Sequence, residues 1–399
     1  MAIAIHQQAT TKLRATCVGL GLLSLVLGLK SPTHENPTHE FSANEVPAHG
    51  GAASTSLRRF SFSQIQMGTK FTLTFYAEDE AVANTASQAA FARVEFLNSL
   101  LSDYDEESEL SRLSASSPHP KPVAISKELM TVLSQAEQLS RRTEGAFDVT
   151  VGPIVRLWRR ARRQNELPQP ERLEAALSAT GYRLLRLNQE QQTAEQQTAQ
   201  LTAPNMRLDL GGIAKGYAAD EALRVLRDHG ITSALVDAGG DVVAADPPPG
   251  ESGWRIAIAE PQMADDGNAQ ADDKAREDDA EAQQANPRYV RIANAAVAQS
   301  GDTFQFVELN GVRYSHIVDP RTGVGLTNQL AVTVIAPDGI SADSLASALS
   351  VLGPEKGLAL LEELEHTEGI FMSRPEQGRE SEVHASSGWH EYEEAPDRK

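Results

Sequence analysis

Residues 208–223 read LDLGGIAKGYAADEAL, and the fold turns on how this stretch is read. Leu208-Asp209-Leu210 is apolar enough to end a strand, while Ile213, Gly216, Ala219, Leu223 and Leu226 recur on one stripe at helical spacing. The spacing predicts a helix over residues 213–228, stopped by Gly230 after Arg227 and His229, with Gly211 and Gly212 at the hinge. A helix start offers unpaired N–H groups and a partial positive charge, and glycine lets an anion approach that backbone. Lys215 adds a full charge in the first turn. On this stretch alone two readings stay open: an anion site, or a tight turn in which Asp209 pairs with Lys215 and nothing binds.

Outward from this hinge, strand-like runs are FTLTFY from Phe71, ITSALVDA from Ile231, WRIAIA from Trp254, RYSHIVD from Arg313 and LAVTVIA from Leu330. Helical patterns cover residues 83–101, 126–142 and 341–352. The elements come in blocks and not in strict alternation, which predicts an α+β fold of layered antiparallel or mixed sheets with packed helices. Low-complexity insertions are expected at 188–200, inside an apparent hairpin between YRLLRL and MRLDL, and at 262–287, between WRIAIAE and RYVRIANAAVA. One folded domain then spans residues 59–373, with 374–399 as a polar tail.

The 399-residue chain carries a formal charge of -19, and no basic stripe is evident in it. Nucleic acid is therefore not expected as a partner. Much of the acidity lies in the run ADDGNAQADDKAREDDAEAQQA and in the tail, so it says little about the surface of the core. The single cysteine, Cys17, lies near the N-terminus, which excludes a disulfide, a Cys-based metal site and a thiol nucleophile from the folded part. Lys12 and Arg14 precede an apolar run over residues 17–29, shorter than the roughly 20 residues of a spanning helix. Residues 1–30 are expected to be a signal peptide or membrane anchor, placing the protein in the periplasm or on the extracytoplasmic face of the inner membrane. Residues 31–58, with PTHE repeated at Pro32 and Pro37, read as a flexible polar tether in which His34, His39 and His49 are plain polar residues.

A second polar set lies in APDGISADSLASALSVLGPEKG from Ala336. Ser341 is expected to cap a helix that ends at Gly353, with Pro354 starting the next element. Asp343 and Ser347, four apart, share a helical face, and a carboxylate beside a hydroxyl suits Mg²⁺; the plain alternative is a dipole-complementing Asp and a small packed Ser. His316, in a strand-like run, is either a base or a structural histidine. Phe147 lies against a planar ligand or fills the core.

Together MGTKF at Met67, LSDYDEESELSRLS at Leu101, TEGAFDVTVGPIVRLW at Thr143, the opening stretch at Leu208, ALVDAGGDV at Ala234, SGDTFQF at Ser300, RYSHIVDPRTG at Arg313 and the helix motif after Ile335 resemble, in this order, the ApbE family of FAD:protein FMN transferases. The resemblance implies a T-fold-like ApbE architecture and an exported or membrane-tethered enzyme that uses FAD and Mg²⁺. Such enzymes move FMN onto a threonine hydroxyl of an acceptor protein, in some cases a membrane redox subunit, and release AMP; some instead hydrolyse FAD to FMN and AMP. A protein that merely binds FAD is the remaining alternative. By resemblance, Met67, Tyr104, Ala146, Phe147, Asp148, Asp209, Lys215 and Ile317 match FAD contacts. Gly212, through its carbonyl, with Asp343 and Ser347, matches the Mg²⁺ ligands, and His316 matches the general base, with Lys215 and Asp209 as its polar companions in catalysis. Ser347 stands where threonine is commoner and keeps the hydroxyl. Asp237, Gln299 and Thr303 also depart from the family pattern, at the rim of the site.

Overall fold

The computed structural model describes residues 57–189, 197–258, 288–301, 306–373 and 382–394. The leader, the tether up to residue 56, the expected insertion at 262–287, and residues 302–305 of the SGDTFQF motif lie outside these residues; Arg58, read as the end of the tether, already belongs to the first strand. Strands β1 (Arg58–Gln66) and β2 (Thr69–Ala77) form a hairpin in full register, Arg58 opposite Ala77. Its two-residue turn, Met67-Gly68, has positive φ at both positions, the geometry whose twist matches paired strands. Helix α1 (Glu80–Leu101) starts at Asp79, whose carboxylate accepts from the Val82 N–H, and buries Ala83, Ala86, Ala90, Val94, Leu97 and Leu101 on one stripe. Next come α2 (Glu109–Ala115), the short β3 (Val123–Ala124) and α3 (Lys127–Arg142), capped by Ser126. Two helices absent from the sequence expectation follow, α4 (Gly152–Gln164) and α5 (Pro170–Ser178), each with proline in its first turn.

The hairpin expected between YRLLRL and MRLDL instead joins β4 (Leu185–Gln189) to β5 (Gln197–Leu201), so strand pairing reaches into the span read as an insertion. Leu208-Asp209-Leu210 is not a sheet strand. It is an extended segment tied by the Asp209 N–H to the Val149 carbonyl and by the Leu208 N–H to Ser114 Oγ, which satisfies its backbone without a ladder. Helix α6 (Ala214–Asp228) follows, with Ile213, Ala219, Leu223 and Leu226 buried as the periodicity requires.

The remaining strands are β6 (Ala234–Ala238), β7 (Val242–Ala244), β8 (Trp254–Ile258), β9 (Arg288–Ile292), β10 (Ala295–Gly301), β11 (Phe306–Leu309), β12 (Val312–Ser315), β13 (Val318–Asp319), β14 (Val324–Gly325) and β15 (Leu330–Ala336). Helix α7 (Gly339–Leu361) and strands β16 (Glu368–Ser373) and β17 (Val383–Ala385) complete the chain. Asp338, not Ser341, caps α7: its carboxylate accepts from the Ser341 N–H. Gly353 breaks the helical dihedrals at φ 74° just before Pro354, at the expected boundary.

An eight-stranded antiparallel sheet, ordered β1-β2-β6-β7-β10-β15-β16-β17, organises the molecule as an α+β fold. Alternate residues of its central strands serve two cores. Val243, Ala296, Ala298, Val332 and Val334 face α1, α6 and α7, whereas Val242, Ala244, Val297, Ile335, Ile370 and Met372 face the β8–β9 hairpin. Burial on both faces explains why LAVTVIA reads as a continuous apolar run. Part of the span read as a polar tail belongs to the fold: β17 pairs with β16, and Trp389 packs into the second core. A third cluster, Ile154, Trp158, Ala161, Ala176 and Val318, joins α4 and α5 to the β11–β14 unit.

Candidate functional site

Helices α6 and α7 touch backbone to backbone. A Cβ on Gly216 would lie 2.0 Å from the Gly339 carbonyl oxygen, and one on Gly339 would lie 2.5 Å from that of Gly216. Only glycine permits this approach, and it brings α7 side chains to the first turn of α6. There the Gly216 N–H donates to Asp343 Oδ2 at 3.1 Å. One turn along, Asp220 of α6 accepts from the Gly339 and Ile340 N–H groups at 2.7 and 2.9 Å and so secures the start of α7.

Asp343 is buried, and burial pushes its carboxyl up to about 7; Asp241 and Asp220 add to the shift, while Lys215 and the Gly216 N–H oppose it. Its other oxygen receives no hydrogen bond among the described residues. Lys215, in the first turn of α6, is ion-paired with Asp241 at the end of the β6–β7 turn. Burial alone would lower the ammonium's pKa, but the Asp241 and Asp343 carboxylates outweigh it and hold Lys215 firmly charged. No side chain caps the α6 N-terminus and no acid lies in its first turn. A half-buried cation and an uncapped helix start together favour an anion.

Gly212 lies against Ser347, where a Cβ would come within 2.6 Å of the Ser347 Oγ and 3.7 Å of the Phe147 ring. The structure thus gathers Gly212, Lys215, Asp343, Ser347 and Phe147 at one corner. Among the described residues no three His, Cys, Asp or Glu side chains cluster in a metal-binding arrangement. A donor set of one carboxylate, one hydroxyl and a carbonyl, all oxygen, fits a hard cation that keeps several waters, such as Mg²⁺, and not a site built from nitrogen and sulfur ligands.

Asp209 does not pair with Lys215. Its Oδ1 accepts from the Gly211 N–H at 2.9 Å, and its Oδ2 takes Arg159 at 3.0 Å. Burial raises the Asp209 carboxyl, with Asp103 adding to the effect and Arg159 opposing it. Arg159 also binds Asp103 at 2.5 Å and lies 4.4 Å from the centre of the Tyr104 ring, so Tyr104, itself exposed, joins the corner through this guanidinium. Met67 sits in the β1–β2 turn. Thr69, two residues on, packs so close to Gly239 that a Cβ there would overlap its Oγ1, which sets this turn against the one carrying Asp241.

Ala146 and Phe147 are buried beside the site. Asp148 braces the protein: Oδ1 accepts from the Thr150 N–H and hydroxyl at 2.8 and 2.7 Å, and Oδ2 from the Tyr182 N–H at 2.6 Å. Its carboxylate thereby ties two loops together. His316 is exposed and sits not in a strand but in the bend between β12 and β13, followed by half-buried Ile317. That unit is fixed to α4 by Trp158, whose Nε1 donates to the Gly323 carbonyl at 2.8 Å and whose ring lies 5.1 Å from Tyr314. Adjacent residues of α4 therefore hold the His316 unit on one side and Asp209 on the other. Asp241 and Arg159 were not assigned from sequence; Asp241 closes the quoted AGGD, whereas Arg159 carries no local signal.

A profile described as the ApbE family matches residues 67–371. The chain is 33% identical over 300 residues to a protein of Vibrio cholerae named FAD:protein FMN transferase, covering 74% of this chain and 82% of that one. A Treponema pallidum protein of the same name is 30% identical over 337 residues, covering 82% of this chain and 87% of the other. Among solved structures, the flavin transferase ApbE from Vibrio cholerae superposes with a TM-score of 0.71 at 29% identity, over 84% of this chain and all of the other. With the α6–α7 corner, the sheet order and a match over most of the folded region in agreement, the chain belongs to the ApbE family.

Proposed function

We propose that the chain transfers FMN from FAD to a threonine hydroxyl of an acceptor protein in a Mg²⁺-dependent reaction that releases AMP. The relatives are transferases by name, and the chain is a transferase with them. The observation that carries the reading is the pairing of a buried carboxyl at about 7, Asp343, with a half-buried ammonium, Lys215, at an uncapped helix start. Such a corner suits a diphosphate and its counter-cation together. Asp343, Ser347 and the Gly212 carbonyl would hold Mg²⁺, which supplies charge neutralisation for the leaving phosphate.

The chain's own residues do the rest. Lys215, kept charged by Asp241, neutralises phosphate oxygens. Arg159 fixes Asp209 and backs Tyr104, so the polar and aromatic contacts are set before the ligand arrives. Attack by the threonine oxygen forms a bond to the FMN phosphorus while the bond to the AMP phosphate breaks. The hydroxyl proton passes to His316, whose exposure leaves it open to a protein substrate. Export, by an apolar leader over residues 17–29, belongs to the same proposal.

The deciding experiment incubates the purified chain with FAD, Mg²⁺ and cell membranes and looks for flavin fluorescence on protein bands, with mass spectrometry locating FMN on threonine. Release of FMN and AMP alone, with no labelled protein, would assign hydrolysis. His316→Ala is expected to slow transfer by about 10²- to 10⁴-fold while FAD affinity, read by flavin fluorescence, stays put. An unchanged rate removes the histidine as base.

Protons compete with the cation for Asp343. Because its carboxyl titrates at about 7, the apparent Mg²⁺ affinity is expected to be flat above that pH and to fall about tenfold per unit below it. Mg²⁺ titrations of activity between pH 5.5 and 8.5, each compared with its own saturated rate, would show this; a flat response rejects Asp343 as ligand.

A further inference from the structure

The sequence showed no basic stripe, but the folded chain has one. Helix α4 carries Arg156, Arg159, Arg160, Arg162 and Arg163 and no acidic residue. Arg156, Arg159, Arg160 and Arg163 fall at i, i+3, i+4 and i+7, which places them on one face, opposite buried Ile154, Trp158 and Ala161. Arg156, Arg160 and Arg163 are exposed, and among the described residues no carboxylate forms an ion pair with any of them; Arg160 binds only Gln164, at 2.7 Å. By contrast Arg93, Arg224 and Arg291 are each held by carboxylates.

Like charges at this spacing repel, so the stripe weakens its own helix. The helix dipole accounts for Arg162 and Arg163 in the last turn but not for Arg156. Crowding extends to Arg207, whose pKa is lowered by burial first and by Arg156 second, with Glu106 opposing. Glu166 shares a groove with Arg160 and Arg172. In the middle of the stripe Arg159 turns inward to Asp209 and Tyr104, so the stripe, about 10 Å long from Arg156 to Arg163, passes along the edge of the site.

We propose that Arg156, Arg160 and Arg163 dock an acidic segment of the flavin-accepting protein and so deliver its threonine to the corner that Arg159 borders. The inference rests on the transferase reading above. A polypeptide fits better than a membrane, because no large apolar side chain of α4 is exposed, Val155 and Leu157 being half-buried, so the helix has no open apolar face to enter a bilayer. It fits better than nucleic acid, because α4 presents no exposed aromatic residue for base stacking.

The test uses the full chain and two labelled threonine peptides, one carrying a run of aspartates and one with asparagines in their place. The unsubstituted protein is expected to bind the acidic peptide about tenfold more tightly at low salt, with the preference fading as salt rises. The triple variant Arg156→Glu/Arg160→Glu/Arg163→Glu should lose that preference, while the charge-matched Lys121→Glu/Lys127→Glu/Lys356→Glu keeps it, and FAD affinity is equal in all three. In the membrane-protein flavinylation assay the arginine variant should be about tenfold slower. Equal binding of both peptides, equal loss in both triple variants, or loss of phosphatidylglycerol vesicle binding in the arginine variant with peptide binding unchanged would each overturn the proposal. A peptide preference that behaves as expected, in a protein that labels no membrane protein, would instead overturn the transferase reading and leave an acid-binding stripe in place.

Discussion

Asp343→Asn is expected to cut FMN transfer by about a thousandfold or more at ordinary Mg²⁺ while leaving the protein folded. Asparagine keeps an oxygen to accept the Gly216 N–H, so the α6–α7 contact survives. It lacks the charge that a hard cation requires of the one carboxylate in the donor set. The stability profile gives an independent check of the same residue. The Asp343 carboxyl is raised in the folded protein from an ordinary 3.8 to about 7, so its contribution to stability is fully present below pH 3.8 and is lost as pH rises through 7. Relative to the parent, the asparagine variant should therefore melt at a similar temperature near pH 4 and at a higher one near pH 8, in metal-free buffer. A site that is less active and more stable at the working pH is one kept for function at the expense of folding. Retained activity, or a variant that melts lower at pH 8 than its parent, would show that the carboxylate holds the fold and not a cation.

The parts of this site that local chemistry dictates were legible in the sequence. The α6 stripe, the Asp343–Ser347 spacing and the break at Gly353-Pro354 all follow from helical periodicity and backbone preference, and the structure reproduces them. The partners of the charged groups were not legible. Arg159 and Asp209 are 50 residues apart and Lys215 and Asp241 are 26 apart, so each pair exists only once α4 has met the segment before α6 and the β6–β7 turn has met α6 itself. Nearest-in-sequence pairing suggested Asp209 with Lys215, which the fold refuses by giving each a different counter-charge. Helix α4 was hidden because five arginines break up its apolar pattern, although Ile154, Trp158 and Ala161 already marked its buried face. The stretch around Trp389 was misread for the same reason: one large aromatic in a polar context is a weak signal until a sheet face offers it a place.

Gly216→Ala is expected to disable both fold and chemistry, and a comparison glycine separates this from a general glycine effect. The added Cβ would meet the Gly339 carbonyl oxygen at 2.0 Å and the Asp343 Cβ at 2.9 Å, and the first of these is backbone that cannot rotate away. The helices must move apart, which costs about 3 kcal/mol or more as overpacking and lowers the melting temperature by roughly 10 °C. The same displacement carries Asp343 and Ser347 away from Gly212, so the remaining folded protein should show a weakened Mg²⁺ requirement profile and little transfer. Gly230→Ala, at φ 81° with open space around its Cβ position, should cost only about 1 kcal/mol and leave activity intact. The chemical loss should exceed what the melting curve explains, since assays well below the transition still find a corner whose ligands no longer converge. If Gly216→Ala melts and turns over as Gly230→Ala does, the close approach of α6 and α7 is not what assembles the site.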